Sequence, residues 1–214
     1  YALANVDSKA TRTFEIVPAN VTLIVSVDET STYNGQTQTP AVSVAFVDGA
    51  NLKSLVAGQD YEIVGYYNNV NASQNVAYVT VKGIGNYAES ASVDTYFDIL
   101  PRDINETTIV GIESNYDYSG VSIAPVPVIT YLDMTLVEGS GYDYTIDYSD
   151  NVNVSASPVQ VTIKGYNNYT GTAVRTFVVN PLSLAASNEN AKTVVTDRVY
   201  NATDITPEIA VSYL

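Results

Sequence analysis

Lys82 and Lys164 are the residues best suited to covalent chemistry in this chain, and they stand at matched places, each followed by Gly-x-x-Asn-Tyr. A lysine buried beside an asparagine and an acid can condense with it to an amide, losing ammonia. The local pattern argues against burial here. Val79 and Val81 alternate toward a core, so Lys82 shares the outward face with Thr80, and Lys164 shares one with Thr162. Asp60 and Asp143 also match, each behind a Gly-x dipeptide. A carboxylate there serves either a calcium site or a turn, in which it accepts nearby backbone N–H groups. Calcium needs several oxygens converging on one point. Asp147 and Asp150 offer them in the second copy, but Val64 and Asn68 occupy about those places in the first. The turn reading is therefore preferred, and no metal site is expected.

Six Asn-x-Ser/Thr sequons are candidate glycosylation sites: Asn20, Asn71, Asn105, Asn153, Asn168 and Asn201. A chain rich in Asn, Ser and Thr produces some by chance. Asn71 and Asn153, however, are equivalent positions that both keep the pattern. The 18 tyrosines offer a second chemistry, stacking against a ligand such as a sugar. Most are expected in the core or at sheet edges, with Tyr66, Tyr67 and Tyr142 exposed. Asn69 with Asn71 and Asn151 with Asn153 read as tight connections, and Gly83 and Gly165 as a positive φ or a close backbone approach. Tyr87 and Tyr169 suit a corner in which a tyrosine hydroxyl bonds to backbone.

Catalytic constellations are scarce. With no His and no Cys, the common triads, thiolate nucleophiles and zinc sites cannot form. No acid pair recurs in a setting that suggests a raised pKa, and no glycine-rich phosphate loop opens a helix. The expectation is that the chain is not an enzyme and takes no cofactor. A formal charge of −14, from 23 acids and 9 bases, argues against nucleic acid as a partner. No apolar run approaches the roughly 20 residues of a membrane helix, so no membrane insertion is expected within this segment.

These residues are positioned by a repeat. Tyr33-Asn34-Gly35 with Pro40 returns as Tyr118-Ser119-Gly120 with Pro125, and as Tyr200-Asn201-Ala202 with Pro207. Gly58-Gln59-Asp60-Tyr61 returns as Gly141-Tyr142-Asp143-Tyr144, and Phe97 with Pro101 returns as Phe177 with Pro181. Phe14 and Pro18 match that last pair. The offsets are 83 and 80 residues, the mark of an array of one folding unit. Within a unit the apolar period is two. Val21, Leu23, Val25 and Val27 predict an opening strand, with weaker counterparts at Ile109–Ile112 and Thr193–Thr196. Val42, Val44 and Phe46 predict the next, matched by Ile129 and Tyr131 and by Ile209, Val211 and Tyr213. Strands follow at Tyr61–Ile63, Ala77–Val81 and Phe97–Ile99, matched by Tyr144–Tyr148, Val159–Ile163 and Phe177–Val179. Pro127 predicts an edge strand in the second copy. The first copy carries one more residue between its repeated Tyr and Asn, which a β-bulge at Gly65 or Tyr66 would absorb.

The series Tyr-x-Gly, Gly-x-Asp-Tyr, Asn-x-Asn, Lys-Gly-x-x-Asn-Tyr and Phe-x-Ile-x-Pro resembles the tandem Ig-like (or small β-grasp-like) repeats of large bacterial cell-surface proteins and adhesin stalks. The resemblance covers residues 31–101 and 116–181, with partial copies at each end. It implies an extracellular, cell-surface location, a stalk or spacer role, and no catalytic residues. The expected fold is all-β: tandem β-sandwich (Ig-like) modules of about 80 residues arranged end to end. Residues 1–18 are expected to close a preceding repeat, 19–101 and 102–181 to form two repeats, and 182–214 to open a further, incomplete one. The primary functional expectation is a structural extracellular repeat region of a cell-surface or surface-layer protein. Its partners would be neighbouring repeats or identical subunits. The alternatives are an adhesin module binding a glycan or host protein, and a filament subunit joined by strand donation.

Overall fold

The computed structural model describes residues 12–28, 30–183 and 191–213. It is all-β, with two short 3-10 turns at Gly85–Tyr87 and Ile104–Glu106. The chain divides into two compact units. One comprises the described residues up to Asp103 together with Tyr166–Thr170; the other comprises Ile104–Gly165 and the described residues from Gly171.

In the first unit the strands are β1 (Ile24–Val27), β2 (Ser31–Thr32), β3 (Val42–Asp48), β4 (Asn51–Ser54), β5 (Tyr61–Tyr67), β6 (Ser73–Gly83), β7 (Val93–Leu100) and β8 (Arg102–Asp103). One sheet has the order β1-β3-β4 and a second the order β2-β7-β6-β5. All neighbours are antiparallel except β2 and β7, which run parallel. Leu23, Val44, Phe46 and Leu55 from the first sheet and its flanks meet Tyr61, Val79 and Val81 of the second in one core. Val79 and Val81 are fully buried, and each such side chain contributes about 1.5–3 kcal/mol.

The second unit holds β9 (Thr108–Val110), β10 (Asn115–Asp117), β11 (Val128–Tyr131), β12 (Met134–Thr135), β13 (Tyr144–Tyr148) and β14 (Val159–Gly165). After β15 (Tyr169–Thr170), which pairs with β8 in the first unit, it continues with β16 (Thr172–Asn180). Its sheets are β9-β11-β12 and β10-β16-β14-β13, with β10 parallel to β16. The strand order and sense of the first unit therefore recur in the second. Matched residues take matched places. Val44 and Ile129 are both buried, as are Tyr61 and Tyr144, Val81 and Ile163, and Phe97 and Phe177.

A third hairpin, β17 (Ala191–Val195) with β18 (Ile209–Tyr213), repeats the register of β1 with β3. Val195 faces Ile209 as Val27 faces Val42, and Thr193 faces Val211 as Val25 faces Val44. Val44 is 3% exposed and Val211 52%, because no second sheet covers the hairpin among the described residues. At Ala202 the φ angle is +59°, close to the +75° of Gly35 and +76° of Gly120 at the matched positions. The turn geometry thus survives loss of the glycine. Asn201 Oδ1 accepts the Thr203 N–H at 3.1 Å, as Asn34 Oδ1 accepts that of Gln36 at 2.9 Å.

The expectations for the Pro127 strand and for the bulge are corrected, while residues 1–18 are described only in part. Of the closing strand expected at 1–18, residues 1–11 lie outside the described residues and 12–18 form no strand. Phe14 is 86% exposed where its matches Phe97 and Phe177 are buried. A strand exists only within a ladder, and no described segment pairs with 12–18. The Pro127 strand is not an edge strand: β11 lies between β9 and β12. Pro127 takes its buried inward place one residue before the strand begins, so its missing N–H leaves no gap in the ladder. The extra residue of the first copy is taken up between Ile63 and Gly65, at Val64, rather than at Gly65 or Tyr66.

Candidate functional site

The repeated polar residues serve the fold. Asp60 Oδ2 accepts the Val56 N–H, and Asp143 Oδ2 that of Val137, each at 2.9 Å. Both carboxylates close a loop, as the turn reading expects. Asn69 and Asn151 do more than turn the chain. Asn69 Nδ2 donates to the Gln38 carbonyl at 2.7 Å, while the Gln38 N–H donates back to the Asn69 carbonyl at 2.7 Å. Asn151 repeats this with Ile123, at 3.0 and 2.9 Å. Each asparagine thus ties the Tyr-x-Gly…Pro loop to the end of the four-stranded sheet. The left-handed residue is its neighbour Asn68, with φ of +53°.

Hydroxyl-to-backbone bonds of the kind expected of Tyr87 and Tyr169 are made by Tyr66 and Tyr148. Tyr66 donates to the Pro40 carbonyl at 2.7 Å and Tyr148 to that of Pro125 at 2.6 Å. Burial raises both phenol pKa values above the ordinary tyrosine value. Tyr87 packs on Phe46, and Tyr169 sets its edge against Tyr33 within the first unit. Gly83 is required by close approach: a Cβ there would come within 2.2 Å of the Tyr87 carbonyl oxygen. Lys82 and Lys164 are exposed on the outer faces of β6 and β14. That placement gives neither lysine the dry setting an amide condensation needs.

The sequons differ in availability. Asn20, Asn71, Asn105, Asn153 and Asn201 are exposed. Asn168 is half-buried: its Nδ2 donates to Asn71 Oδ1 at 3.1 Å and its Oδ1 accepts the Ala72 N–H at 2.8 Å. Asn105 Nδ2 donates to the Thr172 carbonyl at 3.1 Å. A glycan on Nδ2 would compete with these bonds.

Of the three tyrosines expected to be exposed, Tyr67 and Tyr142 are, at 41% and 59%. Tyr66 is turned inward. The bulge at Val64 reverses the alternation beyond it, sending Tyr66 to the core and Tyr67 to the outer face. There Tyr67 lies beside Tyr78, and Tyr78 beside Tyr96, on the adjacent strands β5, β6 and β7. The ring centroids are 5.0 Å apart at 21° and 5.4 Å apart at 46°. No spacing along a single strand announces this row, because it exists only through cross-strand register. Among the described residues, no group of three or more His, Cys, Asp or Glu side chains is arranged to hold a metal ion. Among the described residues no helix is long and apolar enough to cross a membrane. No family model matches this chain, and neither the curated proteins nor the solved structures include a match to it.

Proposed function

We propose that this chain is a structural extracellular repeat region, a stalk or spacer of a cell-surface or surface-layer protein, built from tandem Ig-like sandwich modules of about 80 residues. The observation that carries the reading is the recurrence of one strand order and one register. The three- and four-stranded sheets of the first unit return in the second, on matched residues, and the β17–β18 hairpin adopts the opening register again. A chain that spends its repeated polar residues on loop closure, as Asp60, Asp143, Asn69 and Asn151 do, invests in copying a scaffold rather than in assembling one reactive centre. Arrays of this kind project or space other regions. Exposed Asn20, Asn71, Asn153 and Asn201 suit glycans on the surface of such a spacer. Small-angle scattering on the full chain tests the reading: an elongated particle is expected, and a compact globule overturns it.

A further inference from the structure

We propose that the tyrosine row Tyr67–Tyr78–Tyr96 on the outer face of the first unit is a binding site for a neutral polysaccharide chain. Three observations carry this. First, the row is not needed by the fold. At the matched places the second unit has Ser149, Gln160 and Thr176, all exposed, within the same sheet and the same pairing. Two exposed rings, Tyr67 and Tyr96, flanking the half-buried Tyr78 without a folding requirement are a recognition feature rather than a packing one.

Second, the row is shaped as a platform. Tyr67 folds back over Gly65, where a Cβ would stand 3.1 Å from its hydroxyl oxygen and 3.2 Å from Cζ. The glycine therefore lets the ring settle low on the sheet, nearly parallel to Tyr78. Tyr96 is 53% exposed and extends the row across the next strand. Third, the rim supplies hydrogen-bond acceptors. Asp94 and Asp98 lie on either side of Tyr96 along β7. Asp94 Oδ1 accepts from Thr80 Oγ1 at 2.6 Å, and Asp98 Oδ1 accepts the Asn75 N–H at 2.9 Å. Each carboxylate has a second oxygen able to accept a further hydrogen bond. In the second unit these places are Val174 and Val178, so rim and platform are absent together.

This chemistry selects the ligand. A pyranose offers an apolar C–H face to a ring and hydroxyl donors at its edge, matching rings flanked by acceptors. Anionic polymers are repelled by the two carboxylates and by the overall charge of −14. A proline-rich peptide also favours aromatic surfaces, but its prolines carry no N–H and meet carboxylates with acceptors alone.

The test is affinity electrophoresis of the full chain in native gels containing soluble β-glucan, xylan or mannan. At least one polysaccharide is expected to retard the parent chain, and the retardation is expected to persist in high salt. The variant Tyr67→Ser/Tyr78→Gln/Tyr96→Thr installs the residues that the second unit already tolerates. It is expected to unfold at nearly the parent temperature and to lose the retardation. Gly65→Ala, which lifts Tyr67, is expected to weaken binding roughly tenfold, and Tyr142→Ser to leave it unchanged. The assignment is overturned if no gel retards the parent chain, or if the triple variant is retarded equally. Retention of the parent only on an immobilised proline-rich peptide overturns it in favour of a peptide ligand.

Discussion

Asn69 and Asn151 act as extra backbone units, each exchanging hydrogen bonds in both directions with a loop about 30 residues away. Asn69→Ala removes a buried side chain and leaves the half-buried Gln38 carbonyl without that donor, and is expected to cost about 1–3 kcal/mol in urea unfolding. Asn151→Ala is expected to cost less, because Asn151 is only half-buried. The paired phenols Tyr66 and Tyr148 carry a pH dependence. Their folded pKa values are raised by burial, so in the unfolded chain they lose their protons first. Stability is then full below the unfolded value and declines as pH rises past about 10 toward the folded values. Thermal unfolding across that range is expected to show the decline in the parent and a shallower one in Tyr66→Phe/Tyr148→Phe. At neutral pH that variant starts lower by about 1 kcal/mol per lost hydrogen bond. The repetition of both kinds of residue was visible in the sequence. The bonds they make were not, because Gln38 and Ile123 carry no mark of their role.

Strands with buried faces were legible from period-two apolar residues, as at Ala77-Val79-Val81 and Val159-Val161-Ile163. Elements without such a face were not. β4 is exposed at all four residues, and β2 and β10 are two and three residues long and held by parallel pairing to a distant strand. Inserting one residue was correctly readable as a bulge, but its position depends on which residues face the core, and that sent Tyr66 to the wrong side in the sequence reading. Deleting Val64 makes the local spacing that of β13, where Ile146-Asp147-Tyr148 pairs without a bulge. The deletion is expected to preserve the fold and the Tyr66 hydroxyl bond, checked by amide exchange of β5. In the third hairpin, Ala202 holds a left-handed conformation that costs about 1 kcal/mol without glycine. Ala202→Gly is expected to slow amide exchange in β17 and β18, and equal exchange in both proteins would remove the strain argument.

A molecule with 23 acids and 9 bases repels itself, and added salt screens that repulsion. The melting temperature is therefore expected to rise between low and physiological ionic strength, and a fall would point to stabilising ion pairs. The repeat made the all-β class legible throughout, while the tyrosine row stayed hidden because it belongs to one copy and not to the shared pattern. The parallel pairing of β2 with β7, and of β10 with β16, has a mechanical result. In each four-stranded sheet the strand that comes first in the chain lies beside the one that comes last and points the same way. Tension on the two ends of a unit then slides these neighbours past each other, so their bonds must rupture together instead of unzipping singly. β10 has three residue pairs against two for β2, which predicts that the second unit yields at the higher force in single-molecule stretching.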